Sequence, residues 1–80
     1  MSERLKYLGR RQELNTEKKS LEIRIQGLID NLRDALDPTA PIEDLQPEKI
    51  AEWSLALDAA KRRYQEVLAG LKQLRDLLGD

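Results

Sequence analysis

The hydrophobic residues of the second half of the chain recur in an unbroken seven-residue pattern. They occupy two positions of the repeat, three residues apart: Ile50, Leu57, Tyr64, Leu71 and Leu78 at the first, and Trp53, Ala60, Val67 and Leu74 at the second. This spacing is typical of a helix that keeps a narrow apolar seam against a partner helix. The sequence therefore predicts one long helix over about 47–78.

A second seven-residue pattern runs through the first half, over about residues 2–37. One seam position is apolar or small throughout, whereas the other is cationic at first and apolar later: Tyr7, Leu14, Leu21, Leu28 and Ala35 against Arg4, Arg11, Lys18, Ile25 and Leu32. We expect the aliphatic stems of Arg11 and Lys18 to cover the facing apolar residues while the charged groups reach solvent. The alternative is that they weaken one end of the seam or fix its pairing.

The two predicted helices are separated by a connector with prolines at 38, 41 and 47. Pro38 disfavours helical backbone at Asp37, so the first helix should end there, and Pro47 suits a first helical turn. A connector as short as 38–46 makes the helices antiparallel neighbours. We expect Ile42 and Leu45 to fold back over the loop end of the seam, the alternative being a contact with a partner. Residues 1–80 are thus predicted to form a single helical-hairpin domain.

In an antiparallel hairpin one alignment pairs the two seams along their whole length. It places Leu14 opposite Leu71 and Leu28 opposite Leu57, and it brings Glu22 and Lys61 together at one side. The predicted fold is therefore all-α, a coiled-coil-like antiparallel two-helix hairpin. Its expected intrachain seam comprises Leu14, Leu21, Ile25, Leu28, Leu32, Ile50, Trp53, Leu57, Tyr64, Val67, Leu71 and Leu74.

A hairpin of 80 residues without cysteine is close to the size at which a single core gives little stability. Apolar residues outside the seam could bury additional surface: Leu8, Ile29, Leu36, Leu55 and Leu68. Isolated exposed leucines are common in monomers, which is the alternative interpretation. We expect these residues to bind another helical protein or a second copy, giving a homodimeric four-helix bundle.

Charge is unevenly distributed although the net charge is only −1. Residues 26–60 contain two basic and eight acidic residues, whereas 1–25 contain seven basic and four acidic and 61–80 contain five basic and three acidic. The hairpin should have an acidic loop end and a basic terminal end. An antiparallel dimer would place unlike ends together, an effect that salt weakens.

The chain has neither cysteine nor histidine and no recognisable catalytic or phosphate-binding motif. The commonest general base, metal ligand and nucleophile are thus missing, so we expect no enzymatic activity, no cofactor and no metal. No apolar stretch has the length of a membrane span and no signal peptide is evident, which favours a cytoplasmic location without membrane binding.

The sequence favours a non-catalytic interaction, adaptor or structural module that acts through its helical faces, by self-association. The alternative function is a small nucleic-acid-binding regulator that uses a basic patch at the terminal end: Arg4, Arg10, Arg11, Lys18, Arg62 and Arg63. Interspersed glutamates, the net negative charge and the scarcity of aromatic residues for base stacking argue against this alternative.

Overall fold

The computed structural model describes residues 2–79 and contains two long helices packed antiparallel as an extended hairpin. Helix α1 is Glu3–Ala35 and helix α2 is Pro47–Leu78, and the loop between them contains one turn of 3-10 helix, Ile42–Asp44. The hairpin forms a rod that measures 61 × 18 × 15 Å. The prediction of an all-α antiparallel hairpin is confirmed.

Helix α1 begins at an N-cap and ends at a side-chain-stabilised turn. The Ser2 hydroxyl oxygen accepts the backbone N–H of Arg4 at 3.2 Å, which satisfies one of the free donors of the first turn. At the other end the Asp37 carboxylate accepts the backbone N–H and the hydroxyl of Thr39, at 2.9 and 2.7 Å. Because this turn competes with helical hydrogen bonding, α1 ends at Ala35, slightly before the position expected from Pro38 alone.

Helix α2 has local signals at both ends. Pro47 occupies the start of the helix, where its missing N–H costs no hydrogen bond. At the C-terminus Gly79 adopts a left-handed conformation with φ 77°, and its N–H bonds back to the carbonyl groups of Arg75 and Asp76. A side chain would strain this backbone, so glycine is suited to the position.

The expectation that Ile42 and Leu45 cover the loop end of the seam is wrong. Ile42 is 87% exposed and Leu45 is 47% exposed. The residues between Pro41 and Leu45 form the short 3-10 turn, in which the Leu45 N–H bonds to the Ile42 carbonyl at 3.0 Å. The backbone hydrogen bonds of this segment are made within the turn, and both side chains remain at the surface.

The closely packed core lies in the terminal half of the rod. Leu14, Val67 and Leu74 form a buried cluster, and Val67 is fully inaccessible to solvent. Along the loop half the seam residues are only half-buried, namely Ile25, Leu28, Leu32, Ile50, Trp53 and Leu57. Two helices therefore cover the apolar seam well at one end and incompletely at the other.

Candidate interaction surface

The structure places the predicted seam residues between the two helices. Besides the buried cluster and the half-buried residues of the loop half, Leu21, Tyr64 and Leu71 are half-buried. Leu21 and Leu71 pack against the cluster that contains Leu14. These contacts agree with the alignment in which Leu14 faces Leu71.

The two cationic seam residues that the structure leaves half-buried are Arg11 and Lys18. The alignment places them opposite Leu74 and Val67, which are 7% and 0% exposed. Complete burial of Val67 opposite a lysine favours the interpretation that the aliphatic stem provides cover.

One side of the hairpin is closed by ion pairs, and we name it the ion-paired flank (Arg10, Glu13, Glu17, Arg63 and Glu66). Arg63 binds Glu17 of the other helix through two hydrogen bonds, Nε to Oε2 and Nη2 to Oε1, the second at 2.8 Å. The Arg63 Nη1 also donates to Glu66 at 3.0 Å, and Arg10 pairs with Glu13 at 3.2 Å. The hydrogen bond from Arg63 is the main reason that the pKa of Glu17 lies below its ordinary value, and it helps to raise the pKa of Arg63.

The Glu17–Arg63 pair does not follow from the seam alignment, because the alignment that pairs Leu14 with Leu71 sets Arg63 at the level of Glu22, five residues from Glu17. The long arginine side chain spans this offset along the rod. Glu22 was expected to meet Lys61, and the structure shows that Glu22 accepts the Tyr64 hydroxyl at 2.7 Å. This bond, more than burial, raises the pKa of Tyr64.

The other side carries large apolar residues, and we name it the apolar flank (Leu8, Ile29, Leu36 and Leu68). Leu8 and Ile29 on α1 and Leu36, directly after its last residue, are separated by multiples of seven and so lie along one side of the hairpin. Leu8 and Ile29 are half-buried, whereas Leu68 is 41% and Leu36 57% exposed. Since Leu68 follows the seam residue Val67 that faces Lys18, it lies at about the level of Glu17, within one turn of Asn15.

Leu55 does not share this flank with the other candidate face residues. It is separated from Leu68 by thirteen residues, which places it about 140° away around α2. Leu55 is 72% exposed on the outer side of the helix. It is therefore an isolated surface leucine, and a useful control position.

The loop end extends the apolar flank with an exposed patch, which we name the loop patch (Leu36, Ile42 and Leu45). These residues line a cleft of about 400 Å³ together with Asp34, Asp37 and Asp44. The hydrogen bonds from Thr39 lower the pKa of Asp37, so its carboxylate is charged at neutral pH. The patch is thus apolar with an acidic border.

The residues of the predicted anion-binding patch are distributed over several sides of the hairpin. Arg10 and Arg63 lie in the ion-paired flank, and Arg11 and Lys18 lie in the seam. Arg62 pairs with Asp58 at 3.1 Å, and Arg4 donates to the carbonyl oxygen of Leu78 at 3.3 Å. The structure therefore does not gather these cations into one open surface.

Neither helix, over residues 2–79, combines the length and apolar character that crossing a bilayer requires. Within the same residues there is no cluster of three or more acidic side chains that could hold a metal ion. Comparisons with protein families, with curated proteins and with solved structures give no match to this chain. The observed architecture is an extended helical hairpin with exposed hydrophobic residues, which is consistent with a binding interface.

Proposed function

We propose that this protein is a non-catalytic interaction module that works by self-association, with the apolar flanks of two copies packed together in a four-helix bundle. The observation that carries the proposal is the difference between the two sides of the hairpin. Ion pairs between and within the helices close one side. The other side keeps four large apolar residues along its length, at least two of them substantially exposed.

The incomplete cover of the seam supports the same proposal. Ile25, Leu28 and Leu32 are only half-buried by helix α2. A second hairpin against the apolar flank would exclude water from these seam residues as well as from Ile29 and Leu36. Removal of apolar surface from water is the main favourable contribution to association. The loop half, with the most incompletely buried seam, should therefore contribute most of the binding free energy.

The molar mass in solution tests this proposal. Analytical ultracentrifugation between about 1 and 200 µM should give a dimer, with dissociation only toward the dilute end. A monomer at every concentration would overturn self-association.

Charged substitutions locate the interface. Leu68→Glu and Ile29→Glu should shift the equilibrium to monomer, because each buries an unpaired carboxylate if the dimer forms. Leu55→Glu is the matched control, since it changes an equally apolar residue on the outer side of α2, and it should remain dimeric. Helix content by circular dichroism verifies that each variant is folded. Equal dissociation by all three variants would contradict the assignment to the apolar flank.

A further inference from the structure

The geometry points to an antiparallel dimer in which the loop patch of one copy docks on the terminal end of the second copy. This inference rests on the proposed self-association and specifies its arrangement. The occupant of the 400 Å³ cleft at the loop is thus the terminal end of another identical chain. Its evidence is the spacing of the apolar flank, the distribution of charge and the exposed residues at both ends.

The apolar flank has a spacing that fits a two-fold axis. Leu8 and Leu36 each lie fourteen residues from Glu22 on the same side of the hairpin, Leu36 being the first residue after α1. An axis at the level of Glu22 therefore sets Leu8 of one copy beside Leu36 of the other. The same axis sets Leu68 within one helical turn of the level of Ile29 of the other copy. Apolar residues meet at both ends. At the centre Glu22 meets its own copy, and Lys61 of each chain lies near the same level and offsets part of that repulsion.

Charge selects the antiparallel orientation over the parallel one. A parallel dimer would also match apolar residues, since each would meet its own copy. However, it would place the eight acidic and two basic residues of segment 26–60 beside the same segment. The antiparallel dimer places that acidic half beside segments 1–25 and 61–80, in which basic residues predominate. Coulomb attraction therefore favours it, most strongly at low salt.

The terminal end offers a surface complementary to the loop patch. Leu5 is 61% exposed and lies one turn before Leu8, so the antiparallel arrangement brings it to the level of the partner loop. There Ile42 is the most exposed large apolar residue, at 87%. On α2, Lys72 and Arg75 follow Leu68 at spacings of four and seven, which places them on the same side. They provide a basic border for an apolar contact, opposite the acidic border of the loop patch.

A distance between two introduced cysteines tests the orientation, because the chain contains no natural cysteine. Ala40→Cys, at the loop, and Ser20→Cys, near the middle of the rod, would each carry one spin label per chain. In an antiparallel dimer the loop labels should be more than about 40 Å apart, since the rod is 61 Å long, whereas the middle labels should be closer.

Each outcome of this measurement has a definite consequence. Loop labels within about 25 Å, comparable with the 18 Å width of the rod, would show a parallel dimer and overturn the inference while self-association stands. Absence of any dipolar coupling at both positions, together with a monomeric mass, would overturn the proposed function itself. A long loop distance with a short middle distance is the expected result.

Charge exchange tests the docking of unlike ends. The loop variant Glu43→Lys/Asp44→Lys and the terminal variant Lys72→Glu/Arg75→Glu should each weaken dimerisation roughly tenfold at 50 mM salt. An equimolar mixture should regain the wild-type affinity, because each altered end then faces an opposite charge. If like ends were adjacent, the loop variant would instead dimerise more tightly. Unchanged affinity in both variants would also refute the docking.

Discussion

Two glycines inside the helices, Gly27 and Gly70, differ in how closely the other helix approaches them. A methyl group on Gly70 would lie 3.1 Å from the Cδ1 atom of Leu14, so this glycine permits the close approach of α2 to the core residue of α1. A methyl group on Gly27 would meet nothing within 4 Å. Gly27 therefore lowers helix stability without a packing benefit inside the hairpin.

Alanine substitutions should separate these two situations. Gly27→Ala should raise the free energy of unfolding by about 0.5–1 kcal/mol, because alanine loses less backbone entropy in a helix. Gly70→Ala gains the same propensity but must displace the tip of Leu14, so its net effect should be smaller or destabilising. Urea unfolding of both variants and wild type at one protein concentration measures the difference. A larger stabilisation by Gly70→Ala would contradict the close approach.

At the scale of the helices, an apolar seam and a few polar links hold α1 against α2. The link with the most favourable geometry is the two-bond pair between Glu17 and Arg63, because a guanidinium matches both oxygens of a carboxylate. The Arg10–Glu13 pair lies on the same flank but within a single helix. These two pairs therefore allow a comparison of how much an interhelix and an intrahelix ion pair contribute to the free energy of unfolding.

The stability of the hairpin should fall in acid partly through Glu17. Its pKa is lowered from the ordinary value of 4.5, so its contribution is present above about pH 4.5 and is lost as pH falls through the lower folded value. Glu17→Gln should be less stable than wild type at pH 7, and the difference should disappear near pH 2. Urea unfolding at the two pH values measures this change.

The control for this prediction is Glu13→Gln, which removes a carboxylate from the same flank without breaking an interhelix bond. Its effect at pH 7 should be smaller, since exposed pairs within a helix contribute little. Both variants should keep part of the acid sensitivity of wild type, because the pKa of Asp37 is also lowered. If the two substitutions lowered the free energy of unfolding equally, the interhelix ion pair would contribute no more to stability than the intrahelix one.

Features encoded by local pattern could be predicted from the sequence, and features set by packing could not. The seven-residue spacing and the prolines are local signals, and they were sufficient for the antiparallel hairpin. The exposure of Ile42 depends on how a complete turn satisfies its backbone, which residue hydrophobicity does not reveal. The separation of Leu55 from the apolar flank follows from helical phase and was therefore within reach of the sequence. The Glu17–Arg63 pair was not, because Glu17 lies five residues from the level of Arg63 in the seam alignment and the long arginine side chain spans that offset.

At the scale of the whole molecule, basic residues predominate at the terminal end, yet several are engaged within the chain. Arg63 binds two glutamates, Arg10 binds Glu13, and Arg4 donates to a backbone carbonyl group. The net charge of the chain is −1. Binding to a nucleic acid would have to separate several of these pairs, and each separation offsets the gain from releasing phosphate counterions.

We therefore expect no binding of labelled single-stranded RNA or double-stranded DNA at 50 mM salt, measured by fluorescence anisotropy up to tens of micromolar protein. The variant Glu13→Gln/Glu66→Gln removes acceptors of Arg10 and Arg63 and changes the net charge from −1 to +1. It should show weak binding that disappears as salt rises, because only phosphate contacts would hold it. Wild-type binding that weakens steeply with salt would contradict the expectation and favour a nucleic-acid-binding function for the terminal end.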